Sequence, residues 1–222
     1  MPGRLFIATL GFHENFIIRL LNSRAARGGD GLLLVTVKPA AGAVLTAYNN
    51  TLAFSARLGV KVYPLLELDP ADVAESLHTL VHTITDLARE QDYREIIMDI
   101  TGGSRIVALQ AVLAALILRG MSQIELIVQS DTGGDWEAKI TGSILDALAC
   151  GVGDKIKVLT YLLANPGAST HQIAEATGLA PKTVANYISK LKRHGLVYQK
   201  GRGGGVYLTG WGKLLASITH KK

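Results

Sequence analysis

Residues 1–142 alternate short runs of β-branched and aliphatic residues with longer stretches of helical periodicity, the sequence form of a parallel sheet covered by helices on both faces. The periodicity predicts strands at Arg4–Leu10, Leu32–Val37, Lys61–Glu67, Ile96–Ile100 and Glu125–Gln129, with a weaker Trp136–Thr141 as an antiparallel edge. Helices are expected between them, at about Glu14–Arg27, Ala43–Leu58, Pro70–Glu90 and Ser104–Arg119. The third carries a start signal in Asp69-Pro70-Ala71-Asp72, with proline at the first helical position. The fold class expected is α/β, a Rossmann-like, mostly parallel sheet flanked by helices.

In such a sheet ligands sit outside the carboxyl ends of the strands, so four polar strand ends count together. They are Thr9-Leu10-Gly11-Phe12-His13-Glu14, Thr36-Val37-Lys38-Pro39, Asp99-Ile100-Thr101-Gly102-Gly103-Ser104-Arg105 and Ser130-Asp131-Thr132-Gly133-Gly134. The third is the most specific. Two glycines permit consecutive backbone N–H groups to point one way, and the helix that follows directs its positive end at the same place, a combination suited to an anion. Thr101, Ser104 and Arg105 add side-chain donors. A plainer reading stands beside this one: Gly102-Gly103 turns the chain and Ser104 caps the helix. Phe12 is placed to stack a planar base or to staple the first helix, and His13 and Glu14 to start that helix or to act as an acid/base pair.

Rival ligands lack their fingerprints. Gly11-Phe12-His13-Glu14-Asn15-Phe16 has one glycine where a dinucleotide site needs three, and no Gly-x-x-x-x-Gly-Lys-Ser/Thr sequence occurs. His78 and His82 are four apart, but Thr79 stands where a zinc helix needs glutamate, so no metal and no cofactor are expected.

Charge divides the chain. From Gly153 onward eleven Lys and Arg face two acids, whereas residues 1–152 hold twelve basic against sixteen acidic groups. Only the C-terminal part suits a polyanion. Its pattern is that of a winged helix-turn-helix. Ile156, Val158, Leu159 and Leu162 give a first helix its apolar face, Ser169 caps Thr170–Thr177, and Gly178 makes the turn. Pro181 opens the next helix, whose buried stripe is Val184, Ile188 and Leu191. Its other face carries Lys182, Thr183, Asn186, Tyr187, Lys190 and Arg193, groups able to reach base edges and phosphates in a major groove. Leu196–Gln199 and Val206–Thr209 flank a basic tip holding Lys200 and Arg202, the expected wing. The domains expected are 1–145 for ligand sensing and dimerisation, a linker at 146–153, and 154–222 for duplex DNA.

One cysteine, Cys150, allows no internal disulfide, and no signal peptide pattern opens the chain, so a cytoplasmic protein is expected. The apolar run Ile106–Leu118 is too short for a membrane span and reads as a buried helix, or one that also packs on a partner subunit.

Both parts together resemble the CARF (CRISPR-associated Rossmann fold) regulators of the archaeal type with a C-terminal winged helix-turn-helix. Asp99-Ile100-Thr101-Gly102-Gly103-Ser104-Arg105 is similar to the family's Asp-x-Thr-Gly-Gly-Thr-Lys/Arg signature, with serine in place of the commoner threonine. Thr9-Leu10-Gly11-Phe12, with Arg19 beyond it, is similar to the family's first motif. The resemblance implies a homodimer that binds a cyclic oligoadenylate, most often cyclic tetra-adenylate, across its two-fold axis. On that footing the ligand-binding residues expected are Thr9, Leu10, Gly11, Phe12, His13, Lys38, Pro39, Asp99, Thr101, Gly102, Gly103, Ser104, Arg105, Ser130 and Asp131. The expected function is a ligand-controlled, CRISPR-associated transcription regulator with no catalytic residues. The alternatives are a ring nuclease that cleaves the cyclic ligand, with His13 or Glu14 as the base, and a sensor of another nucleotide-like metabolite.

Overall fold

The computed structural model describes residues 3–121, 123–131, 136–201 and 204–219. Contacts divide the chain into two compact units, residues 1–142 and 143–222.

In the first unit the described residues form a seven-stranded sheet: β1 (Arg4–Thr9), β2 (Gly31–Val37), β3 (Lys61–Val62), β4 (Leu66–Leu68), β5 (Glu95–Asp99), β6 (Gln123–Gln129) and β7 (Glu137–Thr141). The order is β3-β2-β1-β5-β6-β7, with β4 also on β2. Every pairing is parallel except β6 with β7. β1 and β2 are central because LFIA and LLLV bury side chains on both faces. The helices are α1 (Asn15–Ser23), α2 (Ala43–Leu58), α3 (Val73–Glu90) and α4 (Arg105–Leu118). Ile17, Leu20 and Leu21 of α1 and Val44 and Ala47 of α2 pack on Phe6, Ala8, Leu32 and Leu34.

Three expectations change here. The strand expected at Lys61–Glu67 is two strands on β2, broken around Pro64, which has no N–H to offer a ladder. The helix expected from Pro70 begins at Val73: Asp72 is its cap, accepting the Glu75 N–H at 3.0 Å, while Asp69 accepts the Ala71 N–H at 2.9 Å and holds Pro70 in the preceding turn. α1 stops at Ser23, short of Arg27, where Ala25 takes a positive φ of 47°.

The second unit contains the helices α6 (Ile156–Ala164), α7 (Thr170–Thr177) and α8 (Pro181–Arg193), the hairpin β8 (Val197–Gln199) and β9 (Val206–Leu208), and α9 (Gly210–Thr219). The segment expected as a linker, 146–153, takes in the second half of α5 (Gly142–Cys150) and the start of a 3-10 turn, Gly153–Lys155, and Ala147 belongs to the core of this unit. α9 has no counterpart in the sequence reading; its Leu215 and Ala216 complete the same core beside Val158, Leu162, Val184, Ile188 and Leu191. Among the described residues, no helix is long and apolar enough to cross a membrane.

Candidate ligand cleft and nucleic-acid interface

Two strand ends meet at the top of the sheet. The chain leaves β1 through Leu10 and Gly11, leaves β5 through Thr101, Gly102 and Gly103, and the two turns touch backbone to backbone. A Cβ on Gly11 would lie 2.8 Å from Gly103 N, and one on Gly102 would lie 2.8 Å from Thr9 O. Gly103 has φ +77°, and a Cβ there would lie 3.0 Å from Leu10 O. The glycines are therefore demanded by this close approach, and the dense packing of the two turns makes a cleft beside them.

That cleft holds about 350 Å³ and is lined by Leu10, Gly11, Phe12, His13, Phe16, Thr36, Val37, Val44, Thr101, Gly102, Gly103 and Ser104. Its walls are mainly apolar and its floor is the double-glycine turn at the start of α4. The positive end of α4 adds a favourable field for an anion. Ser104 occupies the N-cap position, yet its side chain makes no capping hydrogen bond. Capping alone does not account for its hydroxyl.

Several expected ligand residues are buried and hydrogen-bonded within the fold. Thr9 is 3% exposed and its hydroxyl donates to Gly102 O at 2.5 Å, tying the two turns together. Asp99 is 2% exposed and accepts the Thr101 N–H at 2.8 Å, the Thr101 hydroxyl at 2.5 Å and an N–H of the Gln129 amide. Burial pushes the Asp99 carboxyl above its ordinary range, against the pull of the Thr101 and Gln129 donors; the Glu137 charge pushes the same way as burial. The Thr101 hydroxyl donates to Asp99 and accepts the Gln129 N–H at 2.7 Å, so the donor expected for an anion is committed within the fold. Ser130 is buried; its carbonyl accepts Arg19 Nη1 at 2.9 Å.

The remaining residues lie at the rim or away from the lining. Phe12 is 70% exposed. Lys38, Pro39, Arg105 and Asp131 are exposed and do not line the cleft. Glu14 accepts the Asn50 amide at 3.0 Å, leaving His13 as the titratable group of that pair on the cleft. Thr132, Gly133 and Gly134 lie outside the described residues. Thr36 and Val37 bring the second of the four polar strand ends into the lining, while Phe16 and Val44 join it without having been singled out. Phe16 was hidden because a helical aromatic reads as core, and Val44 because it starts a helix distant in sequence.

In the second unit, a capping box joins Ser169 and Gln172 at the start of α7, Gly178 takes the left-handed cap, and Pro181 opens α8. Lys182, Asn186, Lys190 and Arg193 are exposed on α8, opposite buried Val184, Ile188 and Leu191, and Thr183 is half-buried. Tyr187 differs from expectation: it packs against the core, with Lys155 Nζ 5.9 Å from its ring centre. The hairpin pairs Tyr198 with Tyr207, and Lys200 lies 5.1 Å over the Tyr207 ring at the base of the tip. Arg202 lies outside the described residues.

Residues 4–138 match the family model described as Csa3 CRISPR-associated Rossmann-like domain, and residues 155–198 match one described as winged helix-turn-helix DNA-binding. A protein of Saccharolobus solfataricus, Csa3, CRISPR locus-related and proposed by its name to bind DNA, is 26% identical over 198 residues, covering 89% of this chain and 81% of its own. Among solved structures, the MarR repressor of Listeria monocytogenes aligns with TM-score 0.31 and 16% identity, covering 36% of this chain and 57% of its own. Enterococcus italicus Csm6, solved with cyclic hexa-2'-fluoro-hexa-dAMP, aligns with TM-score 0.49 and 9% identity, covering 88% of this chain. The chain spans 57% of the Csm6 chain as well, and neither structural likeness is close enough to carry an argument.

Proposed function

The chain belongs to the Csa3 family of CRISPR-associated Rossmann-like proteins, and from that premise we propose that it is a DNA-binding transcription regulator whose sensor unit takes a cyclic oligoadenylate, cyclic tetra-adenylate in the first instance. The observation that carries the ligand half is the cleft: apolar walls from Leu10, Phe12, Phe16, Val37 and Val44 suit a purine, and the adjoining double-glycine turn with Ser104 suits its phosphate. The DNA half rests on the exposed Lys182, Asn186, Lys190 and Arg193 of α8 and on the basic balance of the unit that carries them.

The ligand-bearing form is a homodimer on this reading. α4 supports it: Leu109 and Ile117 are 51% and 53% exposed on a helix with no polar face, and a second copy would cover them. A symmetric ring then meets the same turn twice. Ligand shifts the balance between arrangements of the dimer and so the separation of the two α8 helices, which operator DNA reads.

The test is binding of duplex DNA by anisotropy across a salt series, with and without cyclic tetra-adenylate. Each phosphate neutralised contributes roughly −0.9 to the slope of log K against log salt. A steep slope and a ligand-dependent affinity support the proposal; absence of duplex binding at low salt refutes the DNA half, and affinity unchanged by saturating ligand refutes the control. A second reading has one observation behind it, that His13 lines the same cleft as Ser104. Cleavage of the ring would then proceed by attack of a ribose 2′-hydroxyl on the adjoining 3′-phosphate, His13 taking its proton, so that the P–O5′ bond breaks, a 2′,3′-cyclic phosphate forms and the departing 5′-oxygen takes a proton from water; chromatography of cyclic tetra-adenylate after incubation decides it.

A further inference from the structure

Gln129 ends β6 and is 4% exposed. A single glutamine at a strand end carries no sequence signal, yet this one serves three elements. Its Nε2 donates to Asp99 Oδ2 at the end of β5 and to the Phe16 carbonyl of α1, the latter at 2.9 Å. Its backbone N–H donates to Thr101 Oγ1 at 2.7 Å. Both amide hydrogens are therefore spent, one on each neighbour, and Asp99 in turn holds both the N–H and the hydroxyl of Thr101. Thr101 leads directly into Gly102-Gly103, and Phe16 lines the same cleft.

We propose that Gln129 is a positioning residue for the double-glycine turn: by clamping Asp99 of β5 to Phe16 of α1, it holds both the floor and one wall of the cleft in their binding shape. An amide is suited to the task because it offers two donors at fixed geometry, one for a carboxylate and one for a carbonyl. A preset turn spares the ligand the cost of ordering it. That the shape serves a cyclic oligoadenylate rests on the proposed function; the clamp itself does not.

Two substitutions test it. Gln129→Leu removes the donors at every pH. Gln129→Glu restores one donor when its carboxyl is protonated and places two carboxylates together when it is not, with Glu137 adding negative charge nearby and Arg19 held at the next residue's carbonyl. Hydrogen exchange of the segment 98–105, expressed as protection relative to the free peptide, is measured at pH 5.5 and pH 8 beside calorimetric titration with cyclic tetra-adenylate. The expected result is loss of protection at both pH values for Gln129→Leu, and for Gln129→Glu a partial loss at pH 5.5, where one of the two donors is restored, that deepens at pH 8, with ligand affinity falling about 10- to 100-fold where protection is lost. Wild-type protection in a folded Gln129→Leu protein overturns the clamp. So does a Gln129→Glu protein whose loss is the same at both pH values, which keeps the test decisive where the leucine variant fails to fold. If wild-type protein binds no cyclic tetra-adenylate while the exchange series behaves as expected, the clamp stands and the ligand reading falls.

Discussion

Three alanine substitutions separate the two demands that the structure places on glycine. Gly29 has φ +95° with open space where a Cβ would go, so Gly29→Ala carries backbone strain alone, about 1–2 kcal/mol. Gly11 is the reverse: no left-handed φ, but a Cβ 2.8 Å from Gly103 N and 3.1 Å from Gly103 Cα. Both are backbone atoms that cannot swing aside, so the turns must part by about half an ångström, at an overpacking cost of about 1–3 kcal/mol. Gly103 combines φ +77° with contacts of 3.0 Å and 3.2 Å to Leu10 O and C, and the two terms together come to about 2–5 kcal/mol. Hydrogen exchange of the amides of β1 reads the opening free energy of the first unit without interference from the second. The expected order is Gly29→Ala mildest and Gly103→Ala most severe, with ligand affinity lowered by Gly11→Ala and Gly103→Ala and unchanged by Gly29→Ala. Gly11→Ala with wild-type opening energy and wild-type affinity would refute the claim that the two turns are pressed together.

Other outcomes follow from single groups. Asp99 has a folded pKa above its unfolded value, so the folded state keeps a proton that the unfolded state has lost; its contribution to stability therefore declines as pH rises from about 4 through the folded pKa. Relative to Asp99→Asn, whose amide does not titrate, wild type should accordingly lose urea midpoint as pH rises, and a pH-independent difference would contradict this. Gln110 is fully buried with both amide atoms unpartnered among the described residues, so Gln110→Leu should stabilise the chain by about 1–3 kcal/mol; a lower midpoint would show that the amide has a partner in solution. Asn186→Ala should narrow the gap between operator and random duplex by about 1–3 kcal/mol, whereas Lys190→Ala should weaken both alike. Equal losses for Asn186→Ala would make it a backbone contact.

Where hydrophobic period and local turn chemistry agree, the chain was readable. The stripe Val184, Ile188, Leu191 was placed correctly because apolar spacing decides it, and Ala43–Leu58 was placed correctly between Gly42 and Gly59 although Thr51 and Ser55 share its buried face with Val44 and Ala47. Pro70 misled, since proline suits both a first helical turn and the turn before it, and the choice is made by Asp72 reaching the Glu75 N–H. α5 and α9 were missed although Thr209 caps α9 by accepting the Gly212 N–H at 3.2 Å, because Thr209 read as the end of the wing strand, while Ile144, Leu145 and Ala147 of α5 are buried where a linker was expected. The double-glycine turn was legible as a place. Its internal wiring was not, because nothing in Thr9, Thr101 or Gln129 as residue types says which hydroxyl or amide is spent on the scaffold and which faces the cleft.

Calorimetric titration of the full chain with cyclic tetra-adenylate tests the central claim most directly. A ring held across a two-fold axis by two copies of the turn predicts saturation at one ring per two chains, with affinity reduced by at least about 10- to 100-fold in the Ser104→Ala protein, which loses one hydrogen bond to a charged phosphate from each of the two chains. No heat of binding, or saturation with undiminished affinity in the Ser104→Ala protein, would contradict it.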